Sequence, residues 1–244
     1  MNSRIVIIPT YNEKENIEAI IRKVASLSIP FNILIVDDNS PDGTANIVKS
    51  LQSEFSLLHI LERKEKNGLG TAYIAGFKWC LEKKFDFIFE MDADFSHNPD
   101  DLLKLYQACE NNADMSIGSR YKTGVNVVNW PMSRVILSYY ASTYVRLITG
   151  MNIRDTTAGF VCYRRELLEA INLDKIKFRG YAFQIEMKFT AWKHGFHLIE
   201  VPIIFTDRTK GESKINKGII KEAIWGVVMM KIKSWFRKYE PKKN

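Results

Sequence analysis

Short runs of β-branched and apolar residues alternate with amphipathic stretches through the first half of the chain, and this alternation limits the fold more than any other feature. Residues 5–9, 31–36, 57–61 and 85–91 read as strands. Between them, 13–27, 43–54 and 69–83 carry apolar residues at spacings of three and four, the period of a helix. Strands that are apolar along their whole length are covered on both faces. Their alternation with helices predicts an α/β fold, a mostly parallel central sheet with helices on both faces. A further strand is expected at 113–118.

Beyond Tyr121 the pattern changes. A polar linker, KTGVNVVN, leads to Trp130-Pro131 and a helix over 132–149. Strands around 159–163 and 197–205 flank a helix at 181–194, and a last helix over about 217–238 precedes the tail PKKN. No internal repeat or low-complexity stretch interrupts the chain. The expected division is a catalytic body over 1–216, including the 132–149 helix, and a C-terminal helix and tail over 217–244.

With 244 residues, 46% of them hydrophobic, the chain can bury a substantial core. Cys80, Cys109 and Cys162 lie far apart and form neither a disulfide framework nor a C-x-x-C pair, so a reducing, cytoplasmic setting is expected. The opening MNSRIVIIPTYNE lacks the apolar core and cleavage site of a signal peptide. Residues 205–244 hold 11 Lys/Arg against four Asp/Glu and so carry the whole net charge of +7. A basic C-terminus suits nucleic acid, an anionic membrane or a phosphorylated substrate, and charge alone does not choose among them. No nucleic-acid recognition motif is present, and none is expected to function.

In an open parallel sheet, ligands bind at the carboxyl ends of the strands, near the point where strand order reverses. Polar residues collect at those ends: Pro9-Thr10-Tyr11-Asn12-Glu13, then Asp37-Asp38-Asn39-Ser40-Pro41-Asp42-Gly43, Asp92-Ala93-Asp94, and Gly118-Ser119-Arg120-Tyr121. Two carboxylates flanking one residue at a strand end can hold a divalent ion that also meets substrate phosphates. The same residues could instead form an acidic turn before a helix, although Asn98-Pro99-Asp100 would serve that purpose. One of Asp37 and Asp38 is a candidate acceptor for a nucleobase or ribose, in a stretch that is also rich turn chemistry.

Other motifs are excluded. Asn67-Gly68-Leu69-Gly70-Thr71-Ala72 lacks the third glycine of a dinucleotide fingerprint, since Tyr73 stands there, and no GxxxxGK[ST] phosphate loop occurs. His59, His97, His194 and His197 are scattered, form no zinc set and read as structural or exposed. The loop Asp207-Arg208-Thr209-Lys210-Gly211-Glu212-Ser213-Lys214 offers Arg208 and Lys214 as cations for a departing diphosphate.

In this order, IIPTYNEKENI, IVDDNSPDGT, GLGTAY, MDADFSHNP, GSRY, DTTAGF, GYAFQIEM and DRTKGESK resemble the family 2-type, GT-A-fold glycosyltransferases, and among them the dolichol- and polyprenol-phosphate mannose synthases. The matching stretches span almost the whole chain. The resemblance implies that Pro9, Tyr11, Glu13, Val36 and Asp38 hold the guanosine of GDP-mannose. It places Asp92, Ala93 and Asp94 along the diphosphate, with Asp94 the leading ligand of Mg²⁺ or Mn²⁺ and Asp92 assisting. Arg120, Arg179, Arg208 and Lys214 would contact the diphosphate, the sugar or the acceptor phosphate. Ser96 stands where some relatives have a glutamine as a further metal ligand, so metal preference can differ here.

The implied reaction is transfer of mannose from GDP-mannose to a polyprenyl phosphate with inversion, giving the β-linked product and GDP. A UDP-glucose or UDP-N-acetylglucosamine transferase keeps the same fold, and a non-catalytic nucleotide-sugar or membrane-binding module is the alternative of another class. The longest apolar run near the C-terminus, 223–230, is far short of a membrane span. Apolar residues with Trp225, Trp235 and basic neighbours instead suit an amphipathic helix lying in a membrane interface, with the 132–149 helix beside it. The expected location is therefore peripheral, on the cytoplasmic face of a membrane.

Overall fold

The computed structural model describes residues 3–180, 182–207 and 217–239, with only the backbone of 217–223. Five strands alternating with four helices open the chain: β1 (Arg4–Thr10), α1 (Ile17–Ala25), β2 (Asn32–Asp37), α2 (Thr44–Leu51), β3 (Leu58–Glu62), α3 (Leu69–Glu82), β4 (Phe87–Glu90), α4 (Asp101–Glu110) and β5 (Met115–Ser119). They are followed by β6 (Val127–Val128), α5 (Met132–Thr149), β7 (Val161–Arg164), α6 (Arg165–Ala170) and a 3-10 turn at Leu173–Lys175. The chain ends in α7 (Ala182–Lys193), β8 (Leu198–Pro202), β9 (Phe205–Thr206) and α8 (Lys217–Phe236).

Seven strands form one sheet in the order β3-β2-β1-β4-β7-β5-β8. All pairings are parallel except those of β7, which runs antiparallel to both β4 and β5. The sheet separates two cores, as the two-residue period of a strand requires. Ile5, Ile7, Leu34, Val36 and Ile88 pack on one face, with α3 and α7 residues such as Phe77 and Phe183. Val6, Ile8, Ile33, Ile35 and Phe89 pack on the other, with Ile17, Ile20, Ile21 and Val24 of α1 and Leu102 and Leu105 of α4. This double burial explains why the strands read as unbroken apolar runs.

Three short elements differ from the sequence expectation. The polar linker contains β6, which pairs in parallel with β9. The strand expected over 197–205 is divided into β8 and β9. Helix α6, only six residues long, follows β7 directly and is too short to show a helical period. Helix α8 packs against the body that precedes it. Val227 joins the core, the Tyr144 hydroxyl donates to the Ile224 carbonyl at 3.0 Å, and the Lys231 ammonium donates to the Thr149 carbonyl at 2.8 Å. Nor is α8 a helix with one apolar stripe: Val227 is buried while Ile224, Trp225, Met229, Trp235 and Phe236 are exposed.

Candidate active site

Strand order reverses at β1, whose successor β2 lies on one side and β4 on the other. The loops leaving β1, β2 and β4 therefore meet over one crevice. At its β1–β2 side, Asp37 is committed to the turn. It accepts hydrogen bonds from the Thr10 hydroxyl at 2.8 Å, the Ser40 amide at 2.9 Å and the Ser40 hydroxyl at 2.6 Å. Asp42 plays the same part for α2, accepting from the Thr44 amide and hydroxyl at 3.0 and 2.6 Å. That leaves Asp38 as the ligand candidate of the pair.

Asp38 is nearly buried and lies 2.9 Å from Arg63 in an ion pair whose N–H does not point at the oxygen. Burial raises its pKa, and the Arg63 charge opposes that rise. Arg63 also donates to the Thr71 hydroxyl at 2.7 Å, so it ties the end of β2 to the first turn of α3. Around it, Lys66 stands 4.0 Å from the centre of the Tyr11 ring, and Glu13 accepts from the Asn16 side chain at 3.2 Å. Pro9 is half-buried, opposite Val36 in the β1–β2 register. Val36 itself is fully buried in the core, so only its backbone remains for a nucleoside.

At the β4 side, the acidic loop is braced from several directions. The Asp92 amide donates to His97 Nδ1 at 3.3 Å, and the Ser96 amide donates to Asp94 Oδ1 at 3.1 Å. Phe95 between them takes a left-handed backbone, φ 59°, which L-residues rarely adopt and which is often held at functional sites. The Thr206 amide of β9 donates to the Ser96 carbonyl at 3.2 Å. Ala93 is buried beneath the loop, while Asp92 and Asp94 line the crevice.

His97, read from sequence as structural or exposed, is a buried wall of this site. It stacks on Phe160 with centroids 4.8 Å apart and meets the edge of Phe205 at 5.3 Å. Burial lowers its pKa to about 4, while Asp94 pulls it upward. The neutral ring accepts the Asp92 amide at Nδ1, which assigns the proton to Nε2. Behind β4, buried Glu90 accepts from Gln184 Nε2 at 2.6 Å and from the Tyr163 hydroxyl at 3.3 Å. Burial raises Glu90 to about 8 and lowers the neighbouring Lys188 to about 8.

Arg120, leaving β5, is held rather than extended. Its amide, Nε and Nη2 all donate to Asp155, and Nη2 also donates to the Thr157 hydroxyl at 2.9 Å. Asp155 is oriented in turn by Glu200 of β8, which accepts its amide at 2.8 Å. Arg134 of α5 pairs with Asp207 at 2.8 Å and lies 4.1 Å from the Trp130 ring centre. Sequence reading assigned no site role to Arg63, Arg134, Asp155 or His97; of these, Asp155, within DTTAGF, and His97, within MDADFSHNP, stood in motifs that pointed to the site.

A cleft of about 430 Å³ joins these parts. One end carries Asp92, Asp94, Ser96, Arg120, Arg134 and Asp207. The rest is predominantly apolar, walled by Leu137, Tyr140 and Tyr144 of α5 and Ile224 and Val227 of α8. Arg179 is exposed and outside this lining, and its carbonyl accepts the Gly70 amide at 2.8 Å. A side chain at Gly70 would come within 2.7 Å of the Phe178 carbonyl, so glycine allows α3 to start against that segment. Arg208 and Lys214 lie outside the described residues.

Residues 5–171 match the family described as Glycosyl transferase family 2, and the chain belongs to it. Among its relatives is the polyprenol monophosphomannose synthase of Mycolicibacterium smegmatis, 45% identical over 232 residues that cover 95% of this chain and 86% of the relative. The undecaprenyl-phosphate mannosyltransferase of Micrococcus luteus is 44% identical over 228 residues, covering 91% of this chain and 93% of the relative. In three dimensions, the chain resembles glucosyl-3-phosphoglycerate synthase from Mycobacterium tuberculosis in complex with Mn²⁺, UDP-glucose and phosphoglyceric acid. That match has a TM-score of 0.68 at 14% identity, covering 97% of this chain and 81% of the other. It shows the GT-A glycosyltransferase fold that the sequence motifs led us to expect.

Proposed function

We propose that the protein transfers mannose from GDP-mannose to a polyprenyl phosphate with inversion, giving polyprenyl-phosphate β-mannose and GDP. The observation that carries this reading is the two-part cleft, with acidic and cationic groups at one end running into an apolar trough between α5 and α8. A phosphate on a hydrocarbon chain calls for both: cations for the head and apolar walls for the first isoprene units. The relatives' names, which specify polyprenol and undecaprenyl phosphate, support the same acceptor class. The choice of GDP-mannose as donor rests on the motif resemblance.

Asp92 and Asp94 are hard oxygen donors of the kind Mg²⁺ and Mn²⁺ accept alongside water and substrate phosphates. Ser96 Oγ, in the same loop, is buried without a hydrogen-bond partner and would be a third oxygen. Among the described residues no three His, Cys, Asp or Glu side chains gather to hold a metal. The donor diphosphate would therefore complete the coordination. A bound divalent ion would supply neutralisation of the charge that develops on departing GDP.

The chain's own residues do the positioning. Pro9, Tyr11, Glu13, Asp38 and the Val36 backbone would seat the guanosine. Arg134 and Arg120 would hold the acceptor phosphate, with Arg179, Arg208 and Lys214 as further cations on the strength of the motifs. A phosphate monoester is ionised near neutral pH, so the nucleophile needs no committed general base, and alignment with charge stabilisation is enough.

The outer surfaces of α5 and α8 would rest on the membrane that holds the acceptor. Met132, Leu147, Trp225, Trp235 and Phe236 are all more than three-fifths exposed, and Lys233, Arg237 and Lys238 lie among the last of them. Apolar and basic residues together suit an anionic interface. Among the described residues no helix is long and apolar enough to cross a membrane. We place the protein on the cytoplasmic face.

Turnover with GDP-mannose, UDP-glucose or UDP-N-acetylglucosamine and a polyprenyl phosphate, with Mg²⁺, Mn²⁺ or chelator, tests the reading. Metal-dependent transfer from GDP-mannose is expected. Transfer from a UDP-sugar alone would overturn the mannose assignment, and chelator-resistant transfer would overturn the metal role.

A further inference from the structure

Beside the acidic pair, the cleft wall holds two polar groups that the mechanism above leaves without a task. The Tyr73 hydroxyl is fully buried, lines the cleft and has no hydrogen-bond partner. Its ring is fixed by stacking on Phe77 and Phe183, with centroids 6.2 and 6.0 Å away. Burying an unsatisfied hydroxyl is unfavourable, and a site that needed only bulk would be filled as well by phenylalanine. A tyrosine kept here points to an oxygen partner that arrives with a ligand.

The second group is the amide of Gln184, 2% exposed and also in the cleft wall. Its orientation is fixed from behind, because Nε2 donates to Glu90 at 2.6 Å while Oε1 accepts from the Lys188 ammonium at 3.3 Å. Lys188 in turn donates to the Ala158 carbonyl at 2.6 Å, which joins this network to the loop forming the same wall. A primary amide has two N–H bonds, and Glu90 accounts for one. Gly159, the neighbouring wall residue, has no positive φ that would demand glycine. A methyl group added there would lie 3.8 Å from Gln184 Nε2. A side chain at 159 would thus lie against the amide nitrogen, in the wall of the cleft.

Tyr73 and Gln184 line the same cleft as the carboxylates that would meet the diphosphate and the apolar walls that would hold the acceptor. In an in-line displacement the transferred sugar occupies that cleft, between donor diphosphate and acceptor phosphate. We infer that Tyr73 Oη and Gln184 Nε2 form a hydroxyl-recognition pair for the transferred hexose and set which sugar the enzyme accepts. This rests on the mannosyl-transfer reading and names the residues that would give it sugar selectivity. The buried Glu90 and Lys188 act as positioning residues, since together they prevent the amide from turning over.

The test compares wild type with Y73F and G159A, using GDP, GDP-mannose and GDP-mannose analogues lacking single hydroxyls. Q184L is a supporting variant only, because it strands Glu90 and Lys188 and can fail to fold. Y73F and G159A should retain the wild-type melting temperature and GDP affinity, while kcat/KM for GDP-mannose falls about ten- to hundredfold. Each should also lose the discrimination against one deoxy analogue that the wild type shows. A melting point and GDP affinity that fall along with activity would indicate a structural role and overturn the inference. So would unaltered kcat/KM and unaltered discrimination in both variants of an active enzyme. A wild type that transfers no mannose overturns the earlier reading, and this inference with it.

Discussion

Asp155 closes on Arg120 with both carboxylate oxygens, 2.7 Å from Nε and 2.6 Å from Nη2, and the aspartate is fully buried. Burial pushes the Asp155 carboxyl up, but the Arg120 charge and hydrogen bonds outweigh it and leave the carboxyl below its ordinary 3.8. A group depressed in this way stabilises the fold fully above its unfolded pKa, and the contribution is lost as pH falls through the lower folded value. D155N should therefore destabilise the protein at neutral pH by about 3–5 kcal/mol, the usual consequence of unpairing a buried charge. It should also flatten the loss of stability below about pH 4. Urea unfolding across pH would show both effects, and an unchanged acid slope would refute the assignment.

Asp94 has a different task. Its Oδ1 takes the Ser96 amide, which fixes the loop, and the carboxylate faces the cleft. D94A should fold normally and lose at least about a hundredfold in kcat, since groups that stabilise charge developing in the transition state are commonly worth that much. Circular dichroism with metal-replete turnover checks both halves. Near-wild-type turnover would remove Asp94 from the proposed metal site.

How far this site can be read from sequence depends on whether each residue works alone. The strands were legible because both faces are buried, and the acidic motif because it follows a strand. By residue chemistry alone Asp37 and Asp38 were indistinguishable, and only the motif resemblance favoured Asp38; in space one enters the Thr10–Ser40 turn and the other meets Arg63. Arg63 sits in a charged loop 25 positions away, and only the β2–β3 register delivers it. Whether His97 was structural or exposed stayed open in the sequence because the residues that bury it, Phe160 and Phe205, come from much later in the chain. Val36 is the opposite case. A motif position implied a contact, and because its side chain is core, only its backbone could make one.

Glu90 and Lys188 test the network behind the site. Both are fully buried and are bridged by the Gln184 amide. Removing one member, as in E90L or K188M, should cost about 1–3 kcal/mol, because the polar groups it satisfies through Gln184 stay buried without a partner. The double variant should lose less than the sum of the singles, since both act through the same amide. Denaturant unfolding of the two singles and the double closes the cycle. Additive losses would mean that Glu90 and Lys188 do not act through one network.

The exposed end of α8 provides the sharpest test of membrane contact. Trp235 is 68% and Phe236 85% exposed, while Ser234 between them and the core is 4% exposed. The helix can therefore change its outer face without disturbing the side that packs on α5. Burying two large apolar side chains contributes about 1.5–3 kcal/mol each, so W235E/F236E should weaken binding to anionic liposomes by about a hundredfold or more. GDP affinity in solution should be unchanged, because neither residue lines the cleft. Raising the salt should weaken wild-type binding as well, since Lys233, Arg237 and Lys238 meet the lipid charge through solvent. If the double variant sediments with liposomes as the wild type does, the outer face of α8 is not the membrane surface, and the acceptor must reach the cleft by another route.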